Sequence, residues 1–444
     1  MTAAHAPNVP PVPGVLAAEL TWTGERFAPD VLVEVGTDGR IVRVLRGERP
    51  PAGRAVTRLP RRALLPGFVD AHSHAFQRGL RGRGESFPAG AGSFWTWREE
   101  MYALVEGLDA AALHDLSLRA FREMRAAGIT AVGEFHYLHH ENPERADFRF
   151  DEVVLAAAAA APIRIVLLQA YYETGGPGQP LAGGQRRFAC ASPQQYWRQM
   201  DHLAGRLGAD GTQTLGAVAH SLRAAPPETV AALHREARRR GLVFHLHLEE
   251  QRREIEEIEA AYGRRPMALL LDELAVGPEL TAVHCTHTSA ADLARFAATG
   301  ANACLCPLTE ANLGDGLPAL DAAPGLHLCL GTDSNARISM AEEARWLEYG
   351  QRLAGERRGA LRDANGRVAP VLMAAATRGG ARALGLPAGD LVPGHWADFA
   401  LLDLDHPSLA RADAGTLAAA FLFGAGNAAV TASAVAGRWD APPA

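Results

Sequence analysis

Two histidines one residue apart, His72 and His74, close the apolar run "LLPGFVDAHSH". Side chains on a β-strand alternate between faces, so an H-x-H pair directs both imidazoles to one side, within reach of a single cation. A second pair, His245 and His247, stands in "VFHLHLEEQ" with Glu249 and Glu250 just beyond; "VHCTH" adds His284 and His287, and "GTDSN" adds Asp333. Imidazole nitrogens and a carboxylate oxygen are the donors of a hydrolytic zinc site, where about three protein ligands leave a place for a water whose pKa falls to roughly 7. Water activated in this way attacks an sp² carbon, as in an amide, an amidine or a ring C=N. Spacing leaves open which of His245 and His247 binds a metal, and which of Glu249 and Glu250 carries protons.

Such groups need a scaffold that brings them to one point. Between about residues 62 and 388, eight β-like runs alternate with helix-like segments: "ALLPGFVDAH", "ITAVGEFHY", "IRIVLLQAYY", "TLGAVAHS", "LVFHLHLEE", "LTAVHCTH", "ANACLCP" and "LHLCLGTDSN". Segments such as "DAAALHDLSLRAFREMRAAG", "PETVAALHREARRRG" and "MAEEARWLEYGQRLAG" supply the helices, several closed by a glycine. Eight βα units predict a (β/α)8 barrel of the TIM type, in the α/β class, with an open doubly wound sheet as the rival. In such a barrel chemistry gathers where the strands end, and the polar residues follow that rule. His72 and His74 end strand 1, Tyr137 strand 2, His220 strand 4, His245 and His247 strand 5, His284 and His287 strand 6, and Asp333 strand 8. Outside the barrel, "VLVEVGTDGRIVRVLR" reads as a hairpin turning at Asp38-Gly39, and "ADFALLDLD" and "AVTASAVAGRWD" look like strands. The expected organisation is a small β-sandwich domain shared by residues 1–61 and 389–444, flanking a barrel of residues 62–388.

Composition narrows the function. The chain has 444 residues, 48% hydrophobic and 21% charged, with a formal net charge of -6, so no basic footprint for nucleic acid is present. The opening "MTAAHAPNVPPVPGVLAAEL" lacks the form of an export leader, and no stretch of about 18 apolar residues suggests a membrane span. Five cysteines form no CxxC pair, which fits reduced thiols in a cytoplasm. All 44 Lys+Arg positions are arginine, which excludes lysine Schiff-base and P-loop chemistry. These features point to a cytoplasmic protein acting on a small molecule.

"PGFVDAHSH", "HLHLEE", "VHCTH" and "GTDSN", in this order and approximate spacing, resemble the one-metal deaminase branch of the amidohydrolase superfamily. The resemblance implies His72, His74, His247 and Asp333 as metal ligands, Glu250 as proton shuttle, and His284 as the group that polarises the electrophile, with Asp333 also helping to deprotonate the water. Two-metal relatives commonly bridge their ions with a carbamylated lysine, which this chain cannot supply. One divalent ion is therefore expected, zinc with iron as the alternative. Longer stretches, "HSHAFQRGLRG", "SFWTWREEMY", "AVGEFHYLHH", "HSLRA", "CPLTEANLGDG" and "EEARWLEYGQRL", resemble the deiminases that hydrolyse the formimidoyl group of a glutamate derivative to a formyl group and ammonia. That likeness implies Gln77, Tyr137, His220 and Arg223 as substrate-binding residues and a homodimer as the assembly. An arginine suits a dicarboxylate, because its guanidinium fork can hold a carboxylate by two hydrogen bonds. His245 and His287 are read as packed residues, Arg78, Arg81 and Arg83 as solvated, and Trp95 and Trp97 as packing or pocket wall. Asn335 stands where relatives often carry histidine, which speaks against a substrate contact there. The rivals are a nucleobase or related ring deaminase and a non-catalytic assembly protein on the same fold; the second would be free to lose its ligands, and all are present.

Overall fold

The computed structural model describes residues 13–87, 90 and 92–441. At its centre stand eight parallel strands: β1 (Phe68–Ser73), β2 (Ile129–His136), β3 (Arg164–Tyr171), β4 (Gln213–Ala219), β5 (Phe244–Leu248), β6 (Leu280–His284), β7 (Asn302–Leu305) and β8 (His327–Leu330). Each pairs with its neighbour in chain order, and a Ser73–Asp333 bridge brings β8 back to β1. A strand covered by helices on one side and by the barrel interior on the other is buried on both faces, which is why β2 and β3 read as near-continuous apolar runs. The expected barrel is thus observed. The final strand is shorter than "LHLCLGTDSN" suggests, and the chain leaves it at Gly331. A Cβ there would stand 2.6 Å from the His72 carbonyl oxygen, so only glycine lets the two backbones approach this closely.

Helices form where the sequence places their signals. Ala110–Ala126 begins at Asp109, whose side chain accepts from Ala112 N at 2.8 Å, and Met340–Gly355 is capped in the same way by Ser339. Arg252–Tyr262 stops at Gly263, whose φ of 72° is the left-handed conformation of a helix end. Among the described residues no helix is long and apolar enough to cross a membrane.

Both chain ends contribute to a second, mixed sheet. Gly14–Trp22 pairs parallel with Val56–Pro66 and antiparallel with Val31–Val35, while Phe399–Asp403 joins Val56–Pro66 antiparallel to Val430–Val435. Val31–Val35 and Ile41–Arg46 form the predicted hairpin. This sheet encloses its own apolar cluster, including Leu16, Val33, Leu64, Phe399 and Trp439. It is fastened to the barrel by a buried ion pair: Arg164, at the start of β3, donates from Nε and Nη2 to the two Asp398 oxygens at 2.8 and 3.1 Å. The two parallel bonds give this contact a fixed direction as well as charge.

A second buried network braces the wall between β2 and β3. Asp151 accepts from His136 Nε2, His139 Nδ1, Gln169 Nε2 and Gln199 Nε2 at 2.7 to 3.1 Å. His139 Nε2 also donates, to the Ala170 carbonyl at 2.7 Å, so its ring carries both protons. Burial disfavours that charge, but Asp151 outweighs it and raises His139 to about 10. Asp151 in turn is held below the usual carboxylate range against its burial, first by the charge of His139. A raised histidine stabilises fully below its unfolded value of about 6.5 and loses that contribution as pH climbs toward 10; the lowered carboxylate contributes above about 3.9 and fails on acidification. The unfolding free energy from urea melts should accordingly decline between pH 7 and 10, and the decline should be shallower in His139→Gln. Parallel slopes for the two proteins would show that His139 is uncharged in the fold.

Candidate metal centre and active site

The ends of β1, β5, β6 and β8 converge at one end of the barrel. His72 and His74 share the inner face of β1 and its exit, as their spacing requires, and His247 joins them from β5. His247 Nε2 lies 3.2 Å from His72 Nε2, while Asp333 Oδ1 lies 3.4 Å from His72 Nε2 and 3.3 Å from His74 Nε2. Two ligands each about 2.0–2.1 Å from one ion in a tetrahedral set stand about 3.3 Å apart, so these separations fit a shared cation. The opposite ring nitrogens reinforce the fit. His74 Nδ1 donates to the Phe135 carbonyl at 2.7 Å and His247 Nδ1 to the His220 carbonyl at 3.1 Å, which leaves each Nε2 with a free lone pair. Burial lowers His72, His74 and His247, His74 to about 3, so the imidazoles are neutral and able to ligate. Asp333 is held below the usual carboxylate range: burial opposes its charge, but its contacts with His72, His284 and His74 outweigh that.

Glu250 and His284 face this cluster. His284 Nε2 is 3.9 Å from Glu250 Oε1 and 3.9 Å from Asp333 Oδ2, and all three line one cleft. Burial pushes Glu250 up to about 7, offset in part by His284; His284 rises to about 10 because Glu250, Glu310 and Asp333 outweigh its own burial. The ambiguity on β5 resolves geometrically. Glu249, at a φ of 53°, turns away and accepts from Met267 N at 3.1 Å, capping another helix, whereas Glu250 lines the cleft. His245 Nε2 donates to the Ala383 carbonyl at 2.9 Å, deeper in the barrel. His284, Cys285, Asp333 and Asn335 also have positive φ, a concentration of rarely adopted backbone at the place where side chains must turn inward.

The rest of the cleft is aromatic and cationic. Phe94, Trp97, Tyr102, Tyr137, Tyr172 and Phe188 wall it. Gln77 Nε2 donates to the Tyr137 hydroxyl at 2.8 Å, and Gln77 Oε1 is buried without a partner. Arg223, only 8% exposed, has a buried Nε with no hydrogen-bond partner. Arg98 reaches the same cleft from the helix Phe94–Gly107, its Nε donating to the Tyr102 hydroxyl at 2.6 Å. Among the described residues neither arginine forms an ion pair.

The Amidohydrolase family model matches residues 63–439. The chain belongs to the amidohydrolase family. It is 41% identical to the formimidoylglutamate deiminase of Pseudomonas aeruginosa over 429 residues, covering 95% of this chain and 93% of that protein. It is 29% identical to the 5-methylthioadenosine/S-adenosylhomocysteine deaminase of Natronomonas pharaonis, over 78% of this chain and 74% of that one. An amidohydrolase from Brucella melitensis superposes with a TM-score of 0.87 at 31% identity, covering 96% of this chain and 94% of that structure.

For this amidohydrolase, all ten residues singled out from the sequence as site residues meet at the barrel mouth: His72 in the donor cluster, and His74, Gln77, Tyr137, His220, Arg223, His247, Glu250, His284 and Asp333 along the cleft. One reading of the opening loop needs correction, and the doubt about Asn335 in substrate contact agrees with its burial. Arg78 is not solvated: it is buried, donates to the Asn335 and Ala336 carbonyls at 2.5 and 3.0 Å, and pairs with Glu123, so it ties the β1 loop to the β8 loop. Asn335 is fully buried, its Oδ1 2.8 Å from Thr332 Oγ1 and its Nδ2 donating to Ser73 Oγ at 3.0 Å; its side chain is spent inside the loop. Arg81 and Arg83 are exposed as expected. Arg98 was missed, because it lies on a helix inside the first βα connection rather than at a strand end. Its signal was the arginine following two tryptophans in "SFWTWREEMY". His72→Ala and His247→Ala should lose the metal measured by elemental analysis, while Arg223→Ala should keep it. Metal loss in Arg223→Ala would show that the donor set has been drawn wrongly.

Proposed function

We propose that this chain hydrolyses N-formimidoyl-L-glutamate to N-formyl-L-glutamate and ammonia, the deimination step of histidine degradation. The observation that carries this reading is the pair of unpaired guanidiniums, Arg98 and Arg223, in a cleft that ends on the metal donors. A glutamate derivative has two carboxylates, and two arginine forks, Arg223 buried and Arg98 half-buried, are the complement a dicarboxylate requires. The likeness to the Pseudomonas enzyme over nearly the whole chain supports the same substrate.

Four ligands, His72, His74, His247 and Asp333, would hold the ion, which when bound supplies the Lewis acidity that makes a nucleophile of water near neutral pH. Arg223 and Arg98 fix the carboxylates, and Gln77, Tyr137 and His220 line the span between them and the reacting carbon. Glu250 takes the first proton of the attacking water and passes it to the imino nitrogen; as the C=O bond forms and the C–N bond breaks, the second proton, taken up by Asp333, follows by way of Glu250, and the nitrogen leaves as ammonia. His284 Nε2, aimed between Glu250 and Asp333, meets the charge that develops when the C=N carbon becomes tetrahedral. Aromatic walls exclude bulk water from this end of the cleft. The same reading takes zinc as the ion, the cytoplasm as the setting and a second copy of the chain as partner, all carried from the family resemblance.

Those aromatic walls also favour a second reading, a ring deaminase stacking a planar base. Ammonia release from formimidoylglutamate, guanine and cytosine, each offered separately to the metal-loaded protein, separates the two. Turnover of formimidoylglutamate alone is expected, and turnover of a base with none of the amidine would overturn the substrate assignment. Arg98→Ala and Arg223→Ala should each raise KM for formimidoylglutamate by about 10-fold or more, as befits loss of a charge-assisted hydrogen bond of about 1.5–3 kcal/mol. An unchanged KM in both would remove the dicarboxylate argument.

A further inference from the structure

The strand β7 contributes none of the residues named above, yet the helix that follows it, Pro307–Leu313, places Glu310 directly behind the active site. Glu310 is 2% exposed. Its Oε1 lies 3.2 Å from His284 Nδ1 and also accepts from Cys306 N at 2.9 Å. The Cys306 contact pins the carboxylate to the backbone at the end of β7, so the carboxylate is a fixed point rather than a mobile arm. His284 is the last residue of β6, at a φ of 77°, and Cys285 follows at 54° while its N donates to the Leu248 carbonyl at 3.0 Å, so the strand ends in a held turn.

An imidazole on such a turn has two ring flips of similar shape. One presents Nε2 to the cleft, and the other swings Cδ2 and Cε1 into the places the nitrogens occupied. Nothing in the contacts of Nε2 selects the first flip, since its neighbours Glu250 and Asp333 are 3.9 Å away. The contact at Nδ1 does select it. Glu310 Oε1 already accepts from Cys306 N, so it takes a second hydrogen bond from Nδ1–H and leaves Nε2 facing the cleft.

We propose that Glu310 is a positioning residue for His284: by accepting from Nδ1–H it fixes the ring flip, and so determines that Nε2 rather than a ring carbon meets the substrate. The proposal rests on the deimination reading for the consequence on rate, and on geometry alone for the state of the ring. Outer partners that orient a working imidazole typically contribute about 10- to 100-fold in activity. Glu310 acts only through His284, so its removal alters turnover rather than binding.

The test compares Glu310→Ala with Glu310→Gln in the metal-loaded full chain. Glutamine keeps an oxygen able to accept from both Nδ1 and Cys306 N. In Glu310→Ala, kcat for ammonia release from formimidoylglutamate should fall about 10- to 100-fold with KM within about twofold of wild type and metal content unchanged, while Glu310→Gln recovers most of the rate. In 15N-histidine-labelled protein the His284 Nδ1–H resonance, identified by its loss in His284→Asn, should be present in wild type and Glu310→Gln and lost to solvent exchange in Glu310→Ala. Persistence of that resonance in Glu310→Ala overturns the proposal, even if the wild type proves inactive on formimidoylglutamate and the deimination reading fails. So does a kcat in Glu310→Ala within twofold of wild type, or equal loss in both variants that tracks a lowered Tm, since an acceptor needed only by Cys306 N would act through folding.

Discussion

The seam between the first and last barrel strands is closed by the residues that hold the metal donors. Asp333 N donates to the His72 carbonyl and His74 N to the Asp333 carbonyl, both at 2.9 Å. Behind them Thr332 donates from N to Asp70 Oδ1 at 3.0 Å, and its hydroxyl stands 2.5 Å from Asp70 Oδ2. Asn335 reaches back to Ser73, and Arg78 crosses from the β1 loop to the carbonyls of residues 335 and 336. The cylinder cannot close in another register without pulling His72, His74 and Asp333 apart. Closing the fold and assembling most of the donor set are therefore one event, carried by backbone hydrogen bonds on rigid elements.

That seam also explains why so many ionisable groups tolerate burial. A buried polar group costs free energy unless it is paired, and a buried charge costs more. Here Asp70 accepts from backbone and hydroxyl, Glu134 accepts from Ala75 N at 2.7 Å, and Glu310 from Cys306 N at 2.9 Å. The imidazoles of His72, His74 and His247 are neutral, so they bring no charge to offset. What remains uncompensated is a set of lone pairs directed at a common point, with two imidazole nitrogens 3.2 Å apart. A divalent ion among these donors would satisfy them together.

The barrel and its donors were legible because two simple periods carry them. Period 2 on a strand makes H-x-H a same-face pair, and strand ends in a βα barrel collect function, so His72, His74, His220, His247, His284 and Asp333 announce themselves by position. Other features depend on information no local pattern holds. Glu249 and Glu250 are neighbours past the same strand, and only the positive φ at Glu249 decides which of them enters the cleft. Arg78 looks like any loop arginine until residues 335 and 336 arrive some 250 positions later in the chain. Arg98 belongs to a helix folded over the mouth from within the first connection, where the strand-end rule does not look. The Asp151 network, with His136 and His139, faces away from the barrel interior, and its histidines crowd a stretch, "HYLHH", whose neighbour Tyr137 drew the attention.

The two ends of the cleft belong to different parts of the architecture. The reactive end is built from β1, β5, β6 and β8, whose register is locked by the seam. The two guanidiniums proposed to grip the substrate belong to Arg98 on the Phe94–Gly107 helix and Arg223 four residues past β4, both in connections outside the barrel strands. Replacing those segments changes what is held without disturbing the four ligands, Glu250 or His284. Proteins 29% identical to this chain are deaminases of a nucleoside, whereas one 41% identical across nearly the whole chain acts on a formimidoyl amino acid. On the proposed reading, the scaffold sets the chemistry at one carbon, and the two guanidiniums select the molecule that presents it.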